Sequence, residues 1–482
     1  MTHAVRDLGL AASLALVSAL AVTPQASAQS TSTAANVYIQ IQGAEGAVYG
    51  FNASSTGKLS AIPGSPFKLG AEIVGSNKSQ FFTLGHTSIH SYGIASNGAI
   101  QSQLSQIPVF DYSGSSCGDP TQGTDDAVLD HTGKYIYVML QASGYTMCTA
   151  YQSYLVDNDG SFSFDGDTDL SLVSGGAGDL PSILGSESYA YADQISVGPI
   201  GFRRESSGTL ELFDMSIPTF PGSSDYSIIP RPDASPVGNY VVLQVYPNGG
   251  GQNPVRLGSF SVDSAGNLSS TNNPDNMPQL AYPFNGMLDT AFSPSGDLFA
   301  VSSDWDGESG GIQIFNFNGA APLTLYKTLL SGTPIDQVAW DTSGHLYAFS
   351  KSGNKLFVFT VTSTSVTEDT SWSIGSPFKM VVVSQTATCP APTTNGVNVC
   401  SPAQGATVTS PIAIDAAAYI GGGIYRFSLW NGSTNSVKLL NERDSGVMQG
   451  SVSLAPGNYD LIFDARNTAG DHYYALQKIT VK

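Results

Sequence analysis

Clusters of acidic residues are the first feature of the sequence that could carry chemistry. The stretch DWDGE places carboxylates at Asp304, Asp306 and Glu308, next to a tryptophan. Ca²⁺ is bound by carboxylate and carbonyl oxygens, so these three residues are the candidate calcium ligands; a solvated turn is the alternative. Two further acidic loops lie at residues 157–160 and 165–169. The second lacks the glycine and the glutamate that an EF-hand loop needs at its sixth and twelfth positions.

The pattern G-x-S-x-G, which can mark a nucleophilic serine, occurs at residues 307–311 and 114–118. It has that meaning only where a strand turns into a helix and a histidine is nearby. Neither segment precedes a helical pattern, and a chain with 52 glycines produces such matches by chance. We therefore assign no catalytic residue to either segment.

Groups that could hold an anionic substrate are scarce. Hydrolysis of an anionic substrate needs a base or a metal ion to activate water, and cationic groups to bind a carboxylate or phosphate. The repeated region contains Arg203, Arg204, Arg231, Arg256, His86, His90, His131 and His345. We expect His131 and His345 to face solvent in glycine turns, and only one of Arg203 and Arg204 to face inward from an alternating strand. The small number of arginine and histidine residues favours a protein that is not an enzyme.

The chain is strongly acidic, and the acidity is unevenly distributed. Of 482 residues, 38 are Asp or Glu and 19 are Lys or Arg, which gives a formal net charge of −19. From Ser401 onward acidic and basic residues are equal in number, so the negative charge belongs to the region before it. Such a surface repels nucleic acid and anionic membranes, and we expect neither as a partner.

The first 28 residues resemble a secretory signal peptide. Arg6 precedes an apolar run from Leu8 to Val22, and Ala26-Ser27-Ala28 is a small-residue cleavage site. We expect residues 1–28 to be removed, residues 29–36 to form a flexible leader, and the mature chain to be secreted or located in the periplasm or cell envelope. No later segment is apolar over the length that a membrane span requires.

The four cysteines agree with export. Cys117 lies near Cys148 in the sequence, and Cys389 lies near Cys400. Four cysteines allow three pairings, and an oxidising compartment favours disulfides between these local neighbours. A metal site is the alternative, but no C-x-x-C or neighbouring histidine supports it.

A repeat of about 50 residues positions all of these groups. Glycine turns recur between pairs of apolar or alternating segments, at Gly75, Gly133, Gly185, Gly238, Gly296 and Gly344. A second set of glycine turns precedes an outer strand in several repeats, as in SSTGKL and SAGNL. Short strands with tight turns at this period predict an all-β fold. The expected architecture is a β-propeller of seven four-stranded blades over residues 37–385. The blades are expected to start near residues 37, 79, 125, 181, 228, 285 and 335.

The first repeat lacks its leading strand. The sequence GSPFK occurs at residues 64–68 and again at residues 375–379. The second copy overlaps a strand-like segment, PFKMVVV, that follows the last complete repeat. We predict that this C-terminal segment completes the first blade, because an open ring would leave unpaired strand edges.

The phrase GAVYGFNASSTGKLSAIPGSPF resembles the secreted lactonase-like, or YVTN-type, seven-bladed propellers of bacteria. The resemblance covers roughly residues 34–385. It implies the propeller architecture. It leaves the activity open, because that family mixes sugar-lactone hydrolases, cycloisomerase relatives and many propellers of no known activity.

The C-terminal region has a different pattern. Residues 386–402 are predicted to be a disulfide-braced linker, and residues 403–482 to be a small β-sandwich. LAPGNYDLIFDARN resembles the late strands of bacterial immunoglobulin-like domains. The resemblance implies that Tyr459 is the corner tyrosine and that Leu461, Phe463 and Ala465 face the core. Trp430 is the candidate core tryptophan, although Tyr425, Phe427 and Leu429 share the other face of a regular strand. Either the strand ends or bulges before Trp430, or Trp430 is not the core tryptophan.

These observations support three hypotheses. The first is an exported, non-catalytic binding or scaffold protein of the cell envelope or extracellular space, whose partner is an unknown protein or carbohydrate. The alternative is a lactonase-like hydrolase of the 6-phosphogluconolactonase-like family, acting in the central channel. The third is a polysaccharide-binding protein stabilised by Ca²⁺. We expect no cofactor other than this candidate calcium.

Overall fold

The structure is a computed structural model. It describes residues 33–42, 46–109, 123–141, 149–170, 180–194, 198–248, 255–281, 289–303, 310–362, 364–385, 389, 392, 394–408, 410, 412–420, 424, 426–432, 438–443, 447–452, 454–467 and 469–482. The predicted signal peptide, residues 1–28, lies outside the described residues.

Short antiparallel strands make up the repeated region, together with 3-10 turns at Ser223–Asp225 and Pro274–Asn276. The strands are β1 (Thr33–Ile41), β2 (Ala47–Ser54), β3 (Leu59–Ala61), β4 (Phe67–Lys68), β5 (Glu72–Ser76), β6 (Gln80–Leu84), β7 (Ser88–Ile94), β8 (Ile100–Pro108), β9 (Gly123–Leu129), β10 (Tyr135–Gln141), β11 (Thr149–Val156), β12 (Phe162–Asp169), β13 (Ser182–Ile183), β14 (Tyr189–Gln194), β15 (Gly198–Arg204), β16 (Leu210–Phe213), β17 (Tyr226–Ala234), β18 (Tyr240–Pro247), β19 (Arg256–Val262), β20 (Leu268–Ser269), β21 (Asp289–Phe292), β22 (Leu298–Ser303), β23 (Gly311–Asn316), β24 (Thr324–Leu329), β25 (Gln337–Trp340), β26 (His345–Ser350), β27 (Lys355–Val361), β28 (Val366–Ser373) and β29 (Pro377–Ser384).

These strands form seven sheets, which we number as blades 1 to 7 in chain order. Blades 2 to 7 each contain four consecutive strands, from β5–β8 to β25–β28, and blade 1 has the order β29-β1-β2-β3 with β4 beside β2. An apolar core lies at each of the seven interfaces between neighbouring blades, including the interface between blades 7 and 1. The described residues therefore form a closed seven-bladed β-propeller, as the sequence predicts.

The ring closes through the C-terminal strand. β29 pairs antiparallel with β1, so that Met380 lies opposite Ile39 and Val382 lies opposite Val37. This confirms that the end of the repeated region completes the first blade. The prediction of a flexible leader is wrong over residues 33–36, because β1 starts at Thr33 and buries Ala35 in the core shared with blade 7.

Most of the predicted glycine turns are present, with one correction. Gly133, Gly238, Gly296 and Gly344 have positive φ in the turns that follow the first strand of their blades. In blade 2 the first strand starts at Glu72, earlier than the predicted start near residue 79, and Gly75 lies inside this strand. The turn that follows is held by Asn77, whose side-chain oxygen accepts hydrogen bonds from two later N–H groups. An asparagine side chain can stabilise a turn in this way, which explains why no glycine is needed there.

Buried hydroxyl groups connect neighbouring blades. Each donates a hydrogen bond to the carbonyl of a positive-φ glycine in a turn of the next blade: Tyr38 to Gly98, Ser91 to Gly160, Tyr137 to Gly208, Tyr191 to Gly266 and Ser259 to Gly319. These bonds are 2.6–2.8 Å long. Gly208 also lacks room for a side chain, because an added Cβ would lie 2.1 Å from the Tyr135 ring. The glycine turns therefore link blades as well as reversing the chain.

The C-terminal region contains two packed sheets. Its strands are β30 (Gly396–Ser401), β31 (Thr407–Val408), β32 (Ile412–Tyr419), β33 (Arg426–Asn431), β34 (Lys438–Arg443), β35 (Val447–Val452), β36 (Gly457–Arg466) and β37 (His472–Val481). One sheet has the order β30-β32-β35 and the other β31-β37-β36-β33-β34. Both contribute to one apolar core, in which Leu461, Phe463 and Ala465 are buried as predicted. This arrangement is a β-sandwich.

Trp430 is not the core tryptophan of this sandwich. Phe427 and Leu429 are fully buried on β33, whereas Trp430 is only partly buried and lies on the opposite face. The pairing of β33 with β34 shifts register between Leu429 and Trp430, and this irregularity does not bring Trp430 inward. Strand alternation therefore decides its position.

The predicted linker, residues 386–402, is partly structured. Cys389 and Cys400 form a disulfide, as the sequence predicts. The prediction of a linker is wrong over residues 396–401, because β30 pairs with β32 through backbone hydrogen bonds. Cys117 and Cys148 lie outside the described residues. In the part of the chain that the structure describes, no helix has the length and apolar character needed to cross a membrane.

Shortening the side chain of Met380 tests the closure of the ring. Met380 is buried in the core between blades 7 and 1, so Met380→Ala should lower the free energy of unfolding by about 2–5 kcal/mol. Leu325→Ala, at an exposed position of β24, should change it by less than about 0.5 kcal/mol. Equilibrium denaturation measures both values, and equal effects would contradict a packed closing strand.

Candidate functional site

A cavity of about 780 Å³ lies where the first strands of the blades meet. Its polar and charged lining residues are Glu72, Asp126, Asp130, His131, Ser182, Asp233, Asp289 and Thr290. Phe292 and Phe378 line it as well, and Phe378 remains 44% exposed. We refer to this cavity as the central channel. Its size is within the range of small-molecule binding sites.

A lysine between two carboxylates is the main charged feature of the central channel. The ammonium of Lys379 lies 2.8 Å from Glu72 Oε1 and 2.7 Å from Asp126 Oδ1. Burial disfavours the charged ammonium, but the nearby charges of Asp126 and Glu72 outweigh this effect and raise the pKa of Lys379 above its ordinary value. The three side chains, which we call the channel triad, come from blades 1, 2 and 3.

The closing strand positions the lysine of the channel triad. Lys379 lies on β29 opposite Gln40 of β1. The Gln40 side chain accepts a hydrogen bond from the N–H of Ile73 at 3.0 Å and donates one to the carbonyl of Ala71 at 3.2 Å. These bonds hold β1 against the segment that carries Glu72. Ring closure and the contact between blades 1 and 2 therefore both determine where Lys379 lies.

Other channel carboxylates connect blades to each other. Asp289 accepts a hydrogen bond from the N–H of Val338 at 2.9 Å, which joins blades 6 and 7. Asp233 accepts one from the Thr290 hydroxyl, which joins blades 5 and 6. Together with Glu72, Asp126 and Asp130, these residues give the described channel wall five carboxylates. Among the described side chains, Lys379 pairs with Glu72 and Asp126, and Arg204 pairs with Asp130. The carboxylates outnumber these two cations, so the channel potential is negative.

The acidic residues singled out in the sequence do not form this site. Asp304, Asp306 and Glu308, the candidate calcium ligands, lie outside the described residues. Asp157 and Asp159 lie on an exposed turn, where both accept hydrogen bonds from the Ser161 hydroxyl. Within the described ranges, no three His, Cys, Asp or Glu side chains are arranged to hold a metal ion.

Arg204 has a structural role between blades 3 and 4. Its guanidinium lies 2.7 Å from Asp130 and 2.9 Å from Glu187, and its side chain is only 4% exposed. Arg203, the next residue, is 50% exposed and pairs with Glu211. The prediction that only one of the two arginines faces inward is confirmed. The structure does not describe the side chain of Arg231, and Arg256 donates to backbone carbonyls of Pro274 and Met277.

The prediction that His345 faces solvent is wrong. His345 is buried, and its Nδ1 lies 2.7 Å from Asp341 Oδ2, which also accepts a hydrogen bond from the Tyr347 hydroxyl. The residue directly follows its glycine turn and starts β26, so the ring packs inward. Burial disfavours the imidazolium, but the hydrogen bond and charge of Asp341 outweigh this effect and raise the pKa of His345. His131, in the corresponding turn of blade 3, is exposed as predicted.

The channel triad was missed in the sequence. A partial signal was present, because Glu72 and Asp126 are carboxylates on the first strands of two consecutive blades, β5 and β9. Lys379 also belongs to the repeated word GSPFK. Its first copy places Lys68 on the short strand β4 and not at the channel.

Comparison with known proteins supports the fold. No protein-family profile matches the chain, and no curated protein matches its sequence. A periplasmic gluconolactonase from Pseudomonas aeruginosa, PpgL, is 16% identical, with a TM-score of 0.51 over 73% of this chain and 99% of that one. A protein provisionally assigned as a 6-phosphogluconolactonase from Bacteroides uniformis ATCC 8492 is 14% identical, with a TM-score of 0.51 over 72% and 99%. A protein from Lactobacillus plantarum is 12% identical, with a TM-score of 0.51 over 73% and 99%.

These similarities define the class of fold. The chain contains a β-propeller similar in fold to these structures, which are covered almost completely. Sequence identities of 12–16% establish similarity of fold only. The chemistry of the channel therefore depends on the residues that line it in this chain.

Replacing the two adjacent arginines should have very different effects. Arg204→Met leaves Asp130 as an unpaired buried charge, so it should lower the free energy of unfolding by about 3–5 kcal/mol. Arg203→Met removes an exposed pair and should cost about 0–1 kcal/mol. Chemical denaturation compares the two variants, and similar values would mean that the Arg204 pair is solvated.

The pair of His345 and Asp341 should make stability depend on pH. Because the pKa of His345 is raised on folding, its contribution is complete below its unfolded pKa of about 6.5 and is lost as the pH rises through the folded value. His345→Gln should therefore cost more stability at about pH 5 than at about pH 8.5. The same substitution in an Asp341→Asn background should show no such pH dependence. Denaturation curves of all four proteins at both pH values provide the test.

Proposed function

We propose that the chain is a hydrolase of uncharged cyclic esters, acting in the central channel. The observation that carries the proposal is the channel triad, in which an ammonium lies between two carboxylates at the wall of a cavity large enough for a sugar lactone. The lactonase-like fold supports the same reaction class, since PpgL is a gluconolactonase.

The side chains of the triad can supply the steps that hydrolysis requires. Glu72 uses Oε1 to bind Lys379, and no described group donates to its second oxygen. That oxygen can accept a proton from water as the water oxygen attacks the lactone carbonyl carbon. The Lys379 ammonium stabilises the negative charge that develops on the carbonyl oxygen. When the ring C–O bond breaks, the leaving oxygen takes the proton from Glu72, and the product is a hydroxy acid.

The charge of the channel determines the substrate class. The carboxylates of Glu72, Asp126, Asp233 and Asp289 outnumber the single described ammonium. A phosphorylated or carboxylated lactone would be repelled, because it would bring further negative charge next to this excess of carboxylates. We therefore infer a preference for an unphosphorylated sugar lactone.

The fold and the channel side chains favour this hydrolase over a non-catalytic scaffold. Arginine and histidine are scarce in the propeller. The triad instead provides a base through a carboxylate and a cation through lysine. We also propose that the protein is exported, which is supported by the Cys389–Cys400 disulfide and the signal-like residues 1–28.

The C-terminal sandwich is proposed to be immunoglobulin-like. The Tyr459 hydroxyl donates a 2.8 Å hydrogen bond to the carbonyl of Ala455, four residues earlier, as in a tyrosine corner. A calcium ion at Asp304, Asp306 and Glu308 remains a prediction.

Lactone turnover tests the proposed reaction. The purified protein should hydrolyse D-glucono-1,5-lactone faster than the spontaneous rate, and should act more slowly on the 6-phosphorylated lactone. Glu72→Gln should lower kcat by about 10²–10⁴-fold through loss of the base. Lys379→Met should lower it by about 10²–10³-fold through loss of oxyanion stabilisation. A pH-stat or a pH-indicator assay measures the acid released.

The matched control is Glu368→Gln, at an exposed position on β28, which should retain full activity. Thermal melting of each variant separates lost chemistry from lost folding. Absence of turnover above the blank for a panel of uncharged lactones would overturn the proposal in favour of the non-catalytic scaffold. Equal loss in the Glu368 variant would remove the assignment of Glu72.

A further inference from the structure

The outer face of the five-stranded sheet of the sandwich carries a row of apolar side chains. Leu476 of β37 pairs with Ile462 of β36, which pairs with Trp430 of β33, which pairs with Leu439 of β34. Leu476 is 42% exposed and Leu439 is 41% exposed. Tyr474, two residues from Leu476 on the same face, is 68% exposed. We call these five residues the outer apolar row.

Charged groups beside the row neutralise each other. Lys478 lies 3.2 Å from Asp460, next to one side of the row. On the other side, Asp464 lies 2.7 Å from Arg466 Nε and 3.2 Å from His472 Nδ1. The propeller is strongly acidic, but this face presents its charges in pairs. An uncharged partner fits such a face better than a nucleic acid or a charged polymer does.

The size of the row argues against a second copy of the chain as its occupant. A stable protein dimer buries roughly 800 Å² on each partner, with about 20–30 residues a side. Five side chains, of which Trp430 and Ile462 are partly buried, provide a patch on the order of a few hundred Å². The row is narrow, since it crosses four neighbouring strands of one sheet with one side chain from each and adds Tyr474 beside Leu476.

The aromatic residues indicate the chemistry of the ligand. Aromatic ring faces carry negative charge density and attract the weakly positive C–H groups of a sugar ring. Trp430 and Tyr474 are two strands apart and offset by two residues, so their Cα atoms are about 12 Å apart by sheet geometry. Two rings at this separation can contact different sugars of one extended chain.

We propose that the outer apolar row binds an extended, uncharged β-1,4-linked polysaccharide. The ligand lies along the row, its sugar rings pack on Trp430 and Tyr474, and its hydroxyl groups reach the paired polar side chains on either side. This site is separate from the channel triad and does not depend on the proposed hydrolase activity.

Binding of the full chain to microcrystalline cellulose and to chitin powder tests the site. Trp430→Ala and Tyr474→Ala should each weaken binding to the preferred polymer about tenfold, while Trp430→Phe should retain most of it. Trp372→Ala is the matched control, because Trp372 is 39% exposed on β28 of the propeller, and it should bind normally. Melting temperatures confirm that the variants are folded, and turnover of the lactone should be unchanged in all of them.

Two results would overturn the proposal. One is binding to neither polymer, or binding that Trp430→Ala and Tyr474→Ala leave intact. The other is a dimer in size-exclusion chromatography with light scattering that both substitutions dissociate, since the row would then be an interface between two copies.

Discussion

Backbone pairing between β29 and β1 is the interaction on which the rest of the propeller depends. The two strands come from opposite ends of the repeated region, and their pairing converts seven blades in a line into a ring. Without it, β1 would expose an unpaired edge, and the apolar core between blades 7 and 1 would be open to water. The remaining six blade interfaces each have an apolar core. Five of them also have a buried hydroxyl that donates a hydrogen bond to a turn carbonyl of the next blade.

The same pairing assembles the chemistry of the central channel. Glu72 and Asp126 come from neighbouring blades, but the ammonium between them belongs to the closing strand. The ammonium of Lys379 is thus supplied by β29, the last strand of the propeller in the chain. Its positive charge offsets the repulsion between the carboxylates of Glu72 and Asp126, which face one cavity. The stability of the ring and the proposed catalysis therefore both depend on β29. Lys379 differs in this respect from residues that only connect neighbouring blades.

The sequence was sufficient to predict the blade count, the closing strand and most turns. These follow from strand alternation and from glycines with positive φ, which are local properties. The channel triad was not predictable in the same way, because its members are far apart in the sequence and meet only after the ring closes. His345 was misjudged because a residue one position after a turn glycine faces inward as the strand starts. For Trp430 the sequence offers two positions, and the structure shows the outward one that the alternation of β33 favours.

The separation of the two closing strands has a consequence for biosynthesis. Asn36 on β1 and Gln385, the residue after β29, are joined by a side-chain hydrogen bond although they lie 349 positions apart. A ribosome releases the N-terminal part of the chain first, so blades 2 to 7 can fold while β1 is paired with β2 alone. The nascent protein therefore carries one unprotected edge until translation reaches the closing segment, and this interval is when chaperones or a translocation channel would have to shield it.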